Sequence, residues 1–334
     1  MSEFLEQRRN ESNERLLELR SKLEGEEARC AGKACVYATG SFARSEANKF
    51  SDLDLFIVGL DLREKPEDKP KRALGNIDEI LLKAELIRTV RAGGIPEFSG
   101  DGQYLVHRTD LDLIETIGKP EDDAINTFTA RLLLLLESRP LLGEDVYGPV
   151  IERVIRAYYR DYDDHKASFT PVYLANDILR LWRTFCVNYE ARTETTPALK
   201  KAKRKLKNYK LKHSRMLTCY SAILFLLATH EIDGAVSLEA AIEMVRMTPT
   251  ERLEWLLRQR KFGHVSTEIL KLLQNYETFL QSSGRTEDEL VQDFMDEKKA
   301  KALTDGGREF GLSLFNVFTQ LTTAESRFYR MLVV

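Results

Sequence analysis

The sequence predicts an α+β fold, with a small sheet-containing domain over residues 1–145 and an all-α domain over residues 146–334. Two observations support this division. The clearest strand-like runs lie in the first part, where "ACVYATG" and "SDLDLFIVGL" are rich in strand-compatible apolar residues. From about residue 120 onward, apolar residues recur with helical spacing in nearly every segment.

The elements of the first domain follow from periodicity and turn residues. An amphipathic helix is predicted over residues 3–28, and the strand "ACVYATG" ends at a Gly-Ser turn. After the acidic strand, "IDEILLKAELIRTVRAG" has helical periodicity and ends at a pair of glycines. "PEFSGDGQYLVHR" is predicted as a strand or hairpin. Thr109 is placed to cap a helix that begins at the second "DLDL", residues 110–113. This position favours a structural role for the two acids of that stretch over a role in binding metal.

The composition excludes several classes of protein. Of 334 residues, 43% are hydrophobic and 31% charged, which is typical of globular proteins and not of disordered chains. The net charge of −3 predicts no overall attraction to nucleic acid, so any polyanion site must be a local patch. The four cysteines lack metal-ligand spacing. The sequence opens without a signal-peptide pattern and has no apolar run long enough to span a bilayer, so we expect a cytoplasmic protein without membrane contact.

Two acids in the second strand point to a metal site. Because strand side chains alternate, Asp52 and Asp54 share a face, with Cα atoms about 7 Å apart. A divalent cation would relieve the repulsion between them, whereas the alternative is that both are solvated strand-end residues. The upstream turn Gly40-Ser41 offers backbone amides and a hydroxyl to phosphate oxygens, and Arg44 adds positive charge. This combination favours a phosphate-plus-metal site.

The stretch "GSFARSEANKFSDLDLFIV" resembles the signature of the DNA polymerase β-type nucleotidyltransferase superfamily, and the match covers residues 33–60. The rest of the chain resembles, more loosely, bacterial stand-alone nucleotidyltransferases with a helical C-terminal half. The resemblance implies a small mixed-sheet catalytic domain. It also implies that Gly40 and Ser41 bind nucleotide phosphates and that Asp52 and Asp54 coordinate Mg²⁺, with Mn²⁺ as an alternative.

Members of this superfamily usually add a third carboxylate from a neighbouring strand, as a metal ligand or a general base. Glu97 is the first candidate for this catalytic and metal-binding role, and Asp101 is the second. For Asp101, an ordinary Asp-Gly turn is the favoured interpretation, whereas for Glu97 the two interpretations are balanced. If neither serves, the protein is a degenerate member that only binds nucleotide.

A second signal is the basic run "KKAKRKLKNYKLKHSR", residues 200–215, which contains nine Lys or Arg residues and no acid. A solvated helix face usually mixes charge signs, so an unmixed run favours a polyanionic partner. The resemblance implies that the helical domain gives a Lys and a Ser to the triphosphate. Lys212 and Ser214 match that pair, with Lys210 and Arg215 in support.

For several other aromatic and charged residues, a structural role is the first interpretation to consider. In "ANDILRLWRTFCVNYEAR", periodicity places Trp182 and Phe185 in the core. Tyr209 within the basic run is a candidate for stacking on a base. Further upstream, Arg131 and Glu137 lie in a buried-looking helix and are expected to be structural.

The predicted function is magnesium-dependent transfer of a nucleoside monophosphate from an NTP, such as ATP, or a dNTP to an acceptor hydroxyl. The basic run Lys200 to Arg215 favours a nucleotide or oligonucleotide acceptor, giving a signal molecule or a short polymer as in antiphage defence enzymes of this superfamily. Alternatives are modification of a protein or of a small molecule such as an aminoglycoside. A silent nucleotide sensor, or the antitoxin-like half of a two-gene module with a partner protein, is the other alternative.

Overall fold

The computed structural model describes residues 2–65, 67–96, 98, 102, 105–191, 197–323 and 325–333. The chain folds into two compact units: Leu5–Arg160, and the part from Asp161 to the end of the described chain together with the first residues through Phe4. The sequence prediction sets the domain boundary after residue 145. In the structure that point lies at the start of helix α8 (Glu144–Tyr158), which belongs to the first unit.

The first unit alternates helices with short strands. Its earlier elements are α1 (Glu3–Lys22), α2 (Glu24–Cys30), β1 (Ala34–Thr39), α3 (Gly40–Ala43), β2 (Asp54–Gly59) and α4 (Asn76–Ala92). Its later elements are β3 (His107–Thr109), α5 (Asp110–Glu115), α6 (Glu121–Ala124), α7 (Thr127–Leu136), β4 (Arg139–Leu142) and α8. The prediction of one helix over residues 3–28 is wrong in one respect, because the chain leaves helical geometry at Leu23.

The four strands form one mixed sheet in the order β3-β2-β1-β4, which confirms the predicted α+β class. β1 pairs antiparallel with both β2 and β4, whereas β2 and β3 are parallel. The sequence prediction that nearly everything from about residue 120 onward is helical missed β4. This strand contains Pro140, which removes a backbone donor and weakens the strand signal, but an edge strand tolerates it.

Alternation along β1 and β2 separates two faces of the sheet. One face packs against α1 and α4. The core they form includes Val36 and Leu55 of the sheet, Leu16 of α1 and Leu86 of α4. Each such buried aliphatic side chain contributes about 1.5–3 kcal/mol. On the opposite face, the rings of the cross-strand partners Tyr37 and Phe56 stack at 5.6 Å. The Tyr37 hydroxyl donates to the Ala130 carbonyl of α7 at 3.2 Å.

The second "DLDL" begins a helix, as its capping residue predicts. The backbone N–H of Asp112 donates to Thr109 Oγ1 at 3.1 Å, and the N–H of Thr109 donates to Asp112 Oδ2 at 2.8 Å. This is a reciprocal capping box. Asp110 is buried and accepts a hydrogen bond from the backbone N–H of Asp61 at 2.9 Å. The structural interpretation of these acids is confirmed.

Every regular element in the described part of the second unit is helical. Its α-helices are α9 (Tyr162–His165), α10 (Val172–Glu190), α11 (Ala198–Lys210), α12 (Met216–Asp233), α13 (Leu238–Arg246), α14 (Pro249–Leu257), α15 (Ser266–Ser283), α16 (Glu287–Met295), α17 (Glu297–Leu321) and α18 (Arg327–Val333). A π-helical turn, Leu211–Arg215, joins α11 to α12, and 3₁₀ turns occupy Lys166–Ser168 and Arg260–Val265. α12 is buried on nearly all sides, as expected for an apolar central helix. None of the described helices combines the length and apolar character that a membrane span requires.

Candidate active site

The Gly-Ser turn lies directly beside one of the two predicted metal-binding acids. Gly40 has φ +69°, a conformation that favours glycine, and it turns the chain from β1 into α3. A Cβ atom on Gly40 would lie 3.6 Å from Asp54 Oδ2. Thr39 and Asp54 are cross-strand partners, so their side chains project from the same face of the sheet. The structure therefore brings Gly40, Ser41 and Asp54 together at one end of β1 and β2.

The two acids differ in their surroundings. Asp54 opens β2 and is half-buried, whereas Asp52 precedes the strand and is exposed. Leu53 between them is buried in the core, so alternation at the start of β2 directs the Asp54 side chain away from that core, and Asp52 is exposed to solvent. The pair can therefore offer carboxylate oxygens to solvent or to a ligand while the strand itself stays packed.

The oxygen atoms at this end of the sheet suit a hard divalent cation. Besides the carboxylates of Asp52 and Asp54, Thr39 Oγ1 is buried and has no hydrogen-bond partner among the described residues. Within those residues, no three His, Cys, Asp or Glu side chains are grouped to hold a metal. Mg²⁺ is commonly held by one or two carboxylates together with substrate phosphates, so the acidic pair fits such an ion. The third-carboxylate candidates Glu97 and Asp101 lie outside the described residues.

The buried carboxylate of Glu137 holds the Gly-Ser turn in place. Glu137 Oε1 accepts the backbone N–H of Gly40 at 3.3 Å, and its Oε2 accepts from Arg44 Nη1 at 2.9 Å. Arg44 Nε also donates to Glu46 Oε2 at 2.8 Å. Arg44 is thus buried between two carboxylates, and its predicted contact with nucleotide stays a prediction. Glu137 is structural, as the sequence predicts, but the element it stabilises is the candidate site itself.

Helix α1 braces the loop between the Gly-Ser turn and the acidic strand. The buried Ser12 Oγ accepts from the backbone N–H of Ala47 at 3.2 Å. Arg15 donates to the Asn48 carbonyl, and its guanidinium lies 4.9 Å from the centre of the Phe42 ring. Sequence reasoning missed these residues because it described α1 only as amphipathic. The available signal was the presence of polar residues among the apolar positions of that helix.

A comparison with protein-family models decides the class of this unit. Residues 16–95 match the model of the nucleotidyltransferase domain. This chain contains a nucleotidyltransferase domain of the polymerase β-like superfamily. The match extends from α1 to just beyond α4 and includes Gly40, Asp52 and Asp54. It confirms the family resemblance. A search of curated proteins gave no match.

Outside the matched nucleotidyltransferase domain, a second group of predicted residues lies in the helical unit. Lys210 ends α11, and Lys212 and Ser214 lie in the π-helical turn, a geometry that is often found at functional sites. Lys210 and Lys212 are exposed. Ser214 is buried, and its Oγ accepts from the Tyr276 hydroxyl at 3.5 Å. Of the predicted Lys-Ser pair, Lys212 is therefore the more accessible to an anion.

The aromatic residues around this turn differ from the sequence predictions. Tyr209 is buried, with its ring 5.3 Å from that of Phe279, so its assignment as a base-stacking residue is wrong. Trp182 and Phe185, predicted as core residues, are only partly buried. The Arg215 guanidinium lies 5.4 Å from the centre of the Phe185 ring. Periodicity identified the correct face of α10 but not the extent of its burial.

Proposed function

We propose that the protein is a magnesium-dependent nucleotidyltransferase acting on an NTP or dNTP. The observation that carries this proposal is the position of Asp54 beside the Gly40-Ser41 turn, inside a nucleotidyltransferase domain. In the reaction, an acceptor oxygen forms a bond to the α-phosphorus. At the same time, the bond breaks between the α-phosphorus and the oxygen that bridges it to the β-phosphorus. Pyrophosphate leaves, and the acceptor hydroxyl gives up its proton to a base.

The residues of the first unit have distinct roles in this proposal. Asp52 and Asp54 hold the metal ion, and the Gly40-Ser41 turn binds phosphate oxygens. When bound, Mg²⁺ would offset negative charge on the phosphates and lower the pKa of the acceptor hydroxyl. Glu97, or Asp101 in its place, would accept the hydroxyl proton. The fixed turn supports this assignment because a preorganised site need not reorganise as charge develops.

The helical unit contributes positive charge in this proposal. Lys212 binds the triphosphate, with Lys210 and Arg215 in support, and Ser214 takes a smaller part because it already accepts from Tyr276. The unmixed basic run favours a nucleotide or oligonucleotide acceptor, with a signal molecule or short polymer as the product.

The double substitution Asp52→Asn with Asp54→Asn tests the catalytic assignment. Both changes keep side-chain shape but remove the metal-binding charge, so pyrophosphate release should fall roughly a thousandfold or more. The ligand-free melting temperature should stay the same or rise, because like-charge repulsion is relieved. Asp163→Asn with Asp164→Asn changes an exposed acidic pair on α9 by the same charge and should leave turnover unchanged. Retained turnover in the Asp52, Asp54 variant would reject the proposal.

The acceptor is identified by incubating the protein with each labelled NTP and dNTP and analysing all products by mass spectrometry. A discrete oligonucleotide ladder would support the nucleotide acceptor. Mass added to the protein itself, or to a supplied protein or small molecule, would instead support the modification alternatives. Nucleotide binding without any product would indicate a silent sensor.

A further inference from the structure

The second half of α10 carries an incompletely covered row of aromatic rings. Trp182, Phe185 and Tyr189, here called the aromatic stripe, are spaced three and four residues apart and therefore share one helix face. Earlier residues of the same helix, such as Ile178 and Leu181, are fully buried. The three rings of the stripe are all partly exposed. A core-facing helix thus becomes an accessible aromatic surface toward its C-terminal end.

Basic side chains border this stripe. The Arg215 guanidinium lies over the Phe185 ring at 5.4 Å, a cation–π distance. Burial raises the pKa of the Tyr189 phenol and Glu190 adds to that rise, while the nearby Arg204 opposes it. Arg215 therefore contacts one ring of the stripe, and Arg204 contributes positive potential at a second.

Lys212 also contributes positive potential at this part of α10. Burial raises the pKa of the Cys186 thiol, between Phe185 and Tyr189 in α10, and Lys212 opposes that rise. Arg204, Lys212 and Arg215 belong to one continuous stretch formed by α11, the π-helical turn and the start of α12. Residues 200–215 contain no acid, although Lys203 forms an ion pair with Glu287 of α16 at 3.4 Å. The charge beside the rings is therefore predominantly positive.

We propose that the aromatic stripe, together with Arg204, Lys212 and Arg215, binds single-stranded nucleic acid. Bases stack on the exposed rings and phosphates follow the basic side chains, the combination by which proteins bind single strands. This inference deepens the proposed function, and rests on it, in naming the acceptor or product as a single strand. The binding itself requires no turnover.

The spacing of the rings selects a single strand over a duplex. At about 1.5 Å rise per residue, Trp182 to Phe185 spans about 4.5 Å along the helix axis and Phe185 to Tyr189 about 6 Å. Both spacings exceed the rise of about 3.4 Å between bases stacked in a duplex. A strand on this surface is therefore stretched, with its bases stacked on protein rings rather than on one another. A duplex keeps its base faces covered and would offer only phosphates.

The test is fluorescence anisotropy of the full chain with labelled single-stranded DNA and RNA, and with the matching duplex, over a series of salt concentrations. Tyr189→Ala should weaken single-strand binding about five- to a hundredfold without changing its salt dependence. Tyr189→Phe keeps the ring and should bind like wild type. Arg204→Gln should reduce the slope of log K against log salt by about 0.7. Val187→Ala, at an exposed position on another face of α10, should change nothing.

Two results would overturn the inference: a duplex bound as tightly as the single strand, or equal binding by the Ala and Phe variants of Tyr189. The Asp52→Asn, Asp54→Asn protein separates this inference from the proposed function, since it should bind the strand like wild type. If that variant loses turnover and neither wild type nor any variant binds the single strand, the inference is rejected and the proposed function stands. Retained turnover in that variant with ring-dependent strand binding would reject only the catalytic assignment.

Discussion

The Glu137 side chain has two structural roles in the candidate site. A buried guanidinium such as that of Arg44 is costly unless it is paired, and Glu137 supplies one of its two carboxylate partners. The other oxygen of Glu137 accepts the N–H of Gly40, at the point where the chain turns with positive φ. The carboxylate that neutralises the arginine therefore also holds the turn. No pattern in the sequence links residues 97 positions apart.

His213 is the most perturbed histidine of the helical unit. Its ring is parallel to that of Phe279 at 4.4 Å, and its Nδ1–H donates to the Tyr209 carbonyl at 2.8 Å. Burial lowers its pKa to about 4; the Tyr209 carbonyl opposes this shift and Lys212 adds to it. The π-helical turn thus contains a neutral imidazole packed as an aromatic side chain.

His213 should make the stability of the protein depend on pH. The unfolded histidine has a pKa of about 6.5, so between pH 6.5 and 4 the unfolded state binds a proton that the folded state does not. The free energy of unfolding should fall by about 3 kcal/mol as the pH drops through that window. In His213→Phe this part of the decline should disappear, as measured by urea unfolding at several pH values. The exposed His165→Gln is the control and should decline like wild type. Equal declines in all three proteins would contradict the assignment.

At the scale of elements, the turn between β4 and α8 depends on one glycine. Gly143 has φ +66°, and a Cβ atom there would overlap the Ala34 carbonyl oxygen of β1. Its N–H donates to Glu27 Oε1 at 3.0 Å. Close approach to β1 and a left-handed backbone are therefore required at the same residue.

Gly143→Ala should destabilise the protein by more than about 3 kcal/mol, since backbone strain and a steric clash add together. Gly32→Ala is the matched control. Gly32 has φ +65° but open space where a Cβ would lie, so its substitution should cost only about 1–2 kcal/mol. Chemical denaturation of both variants measures the difference. Similar losses would show that the clash with β1 is relieved by movement of the turn.

The elements that carry strong local signals were predictable from the sequence. β1, β2 and α4 combine periodicity with clear turn residues, and the cap at Thr109 was correctly assigned. β4 was missed because its pairing with β1 outweighs the weak strand propensity of a proline-containing segment. Asp54 and its glycine turn were found from a local motif. The contacts of Glu137, Ser12 and Arg15 with that motif connect distant parts of the chain, so local patterns could not reveal them.

At the scale of the whole molecule, positive charge is concentrated although the net charge is −3. If the basic run divides into two functional parts, two sets of substitutions should have different effects. Lys212→Ala should weaken binding of every nucleotide about ten- to a hundredfold, the cost of one charge-assisted contact. Changing Lys200, Lys201, Lys203 and Lys205 to Gln should spare mononucleotide binding but weaken an oligonucleotide and flatten its salt dependence.

Isothermal titration with mononucleotides, and anisotropy with oligonucleotides, measure the two effects separately. Wild-type behaviour of the four-lysine variant toward oligonucleotides would show that these four lysines take no part in binding a polyanionic acceptor, while leaving nucleotidyl transfer intact. An equal loss of mononucleotide binding in both variants would show that the run is a single phosphate-binding element.

The pairing of β4 with β1 has a consequence for the order in which the chain folds. One edge of β1 pairs with β2, which follows closely in sequence. The other edge pairs with β4, which lies about a hundred residues later. During synthesis, the β1–β2 hairpin emerges long before β4, with one edge of β1 open to other chains. The matched family region, residues 16–95, ends before β3 and β4 and includes that open edge. A fragment cut at the limits of the family match should therefore aggregate, whereas one extended through α8 should fold.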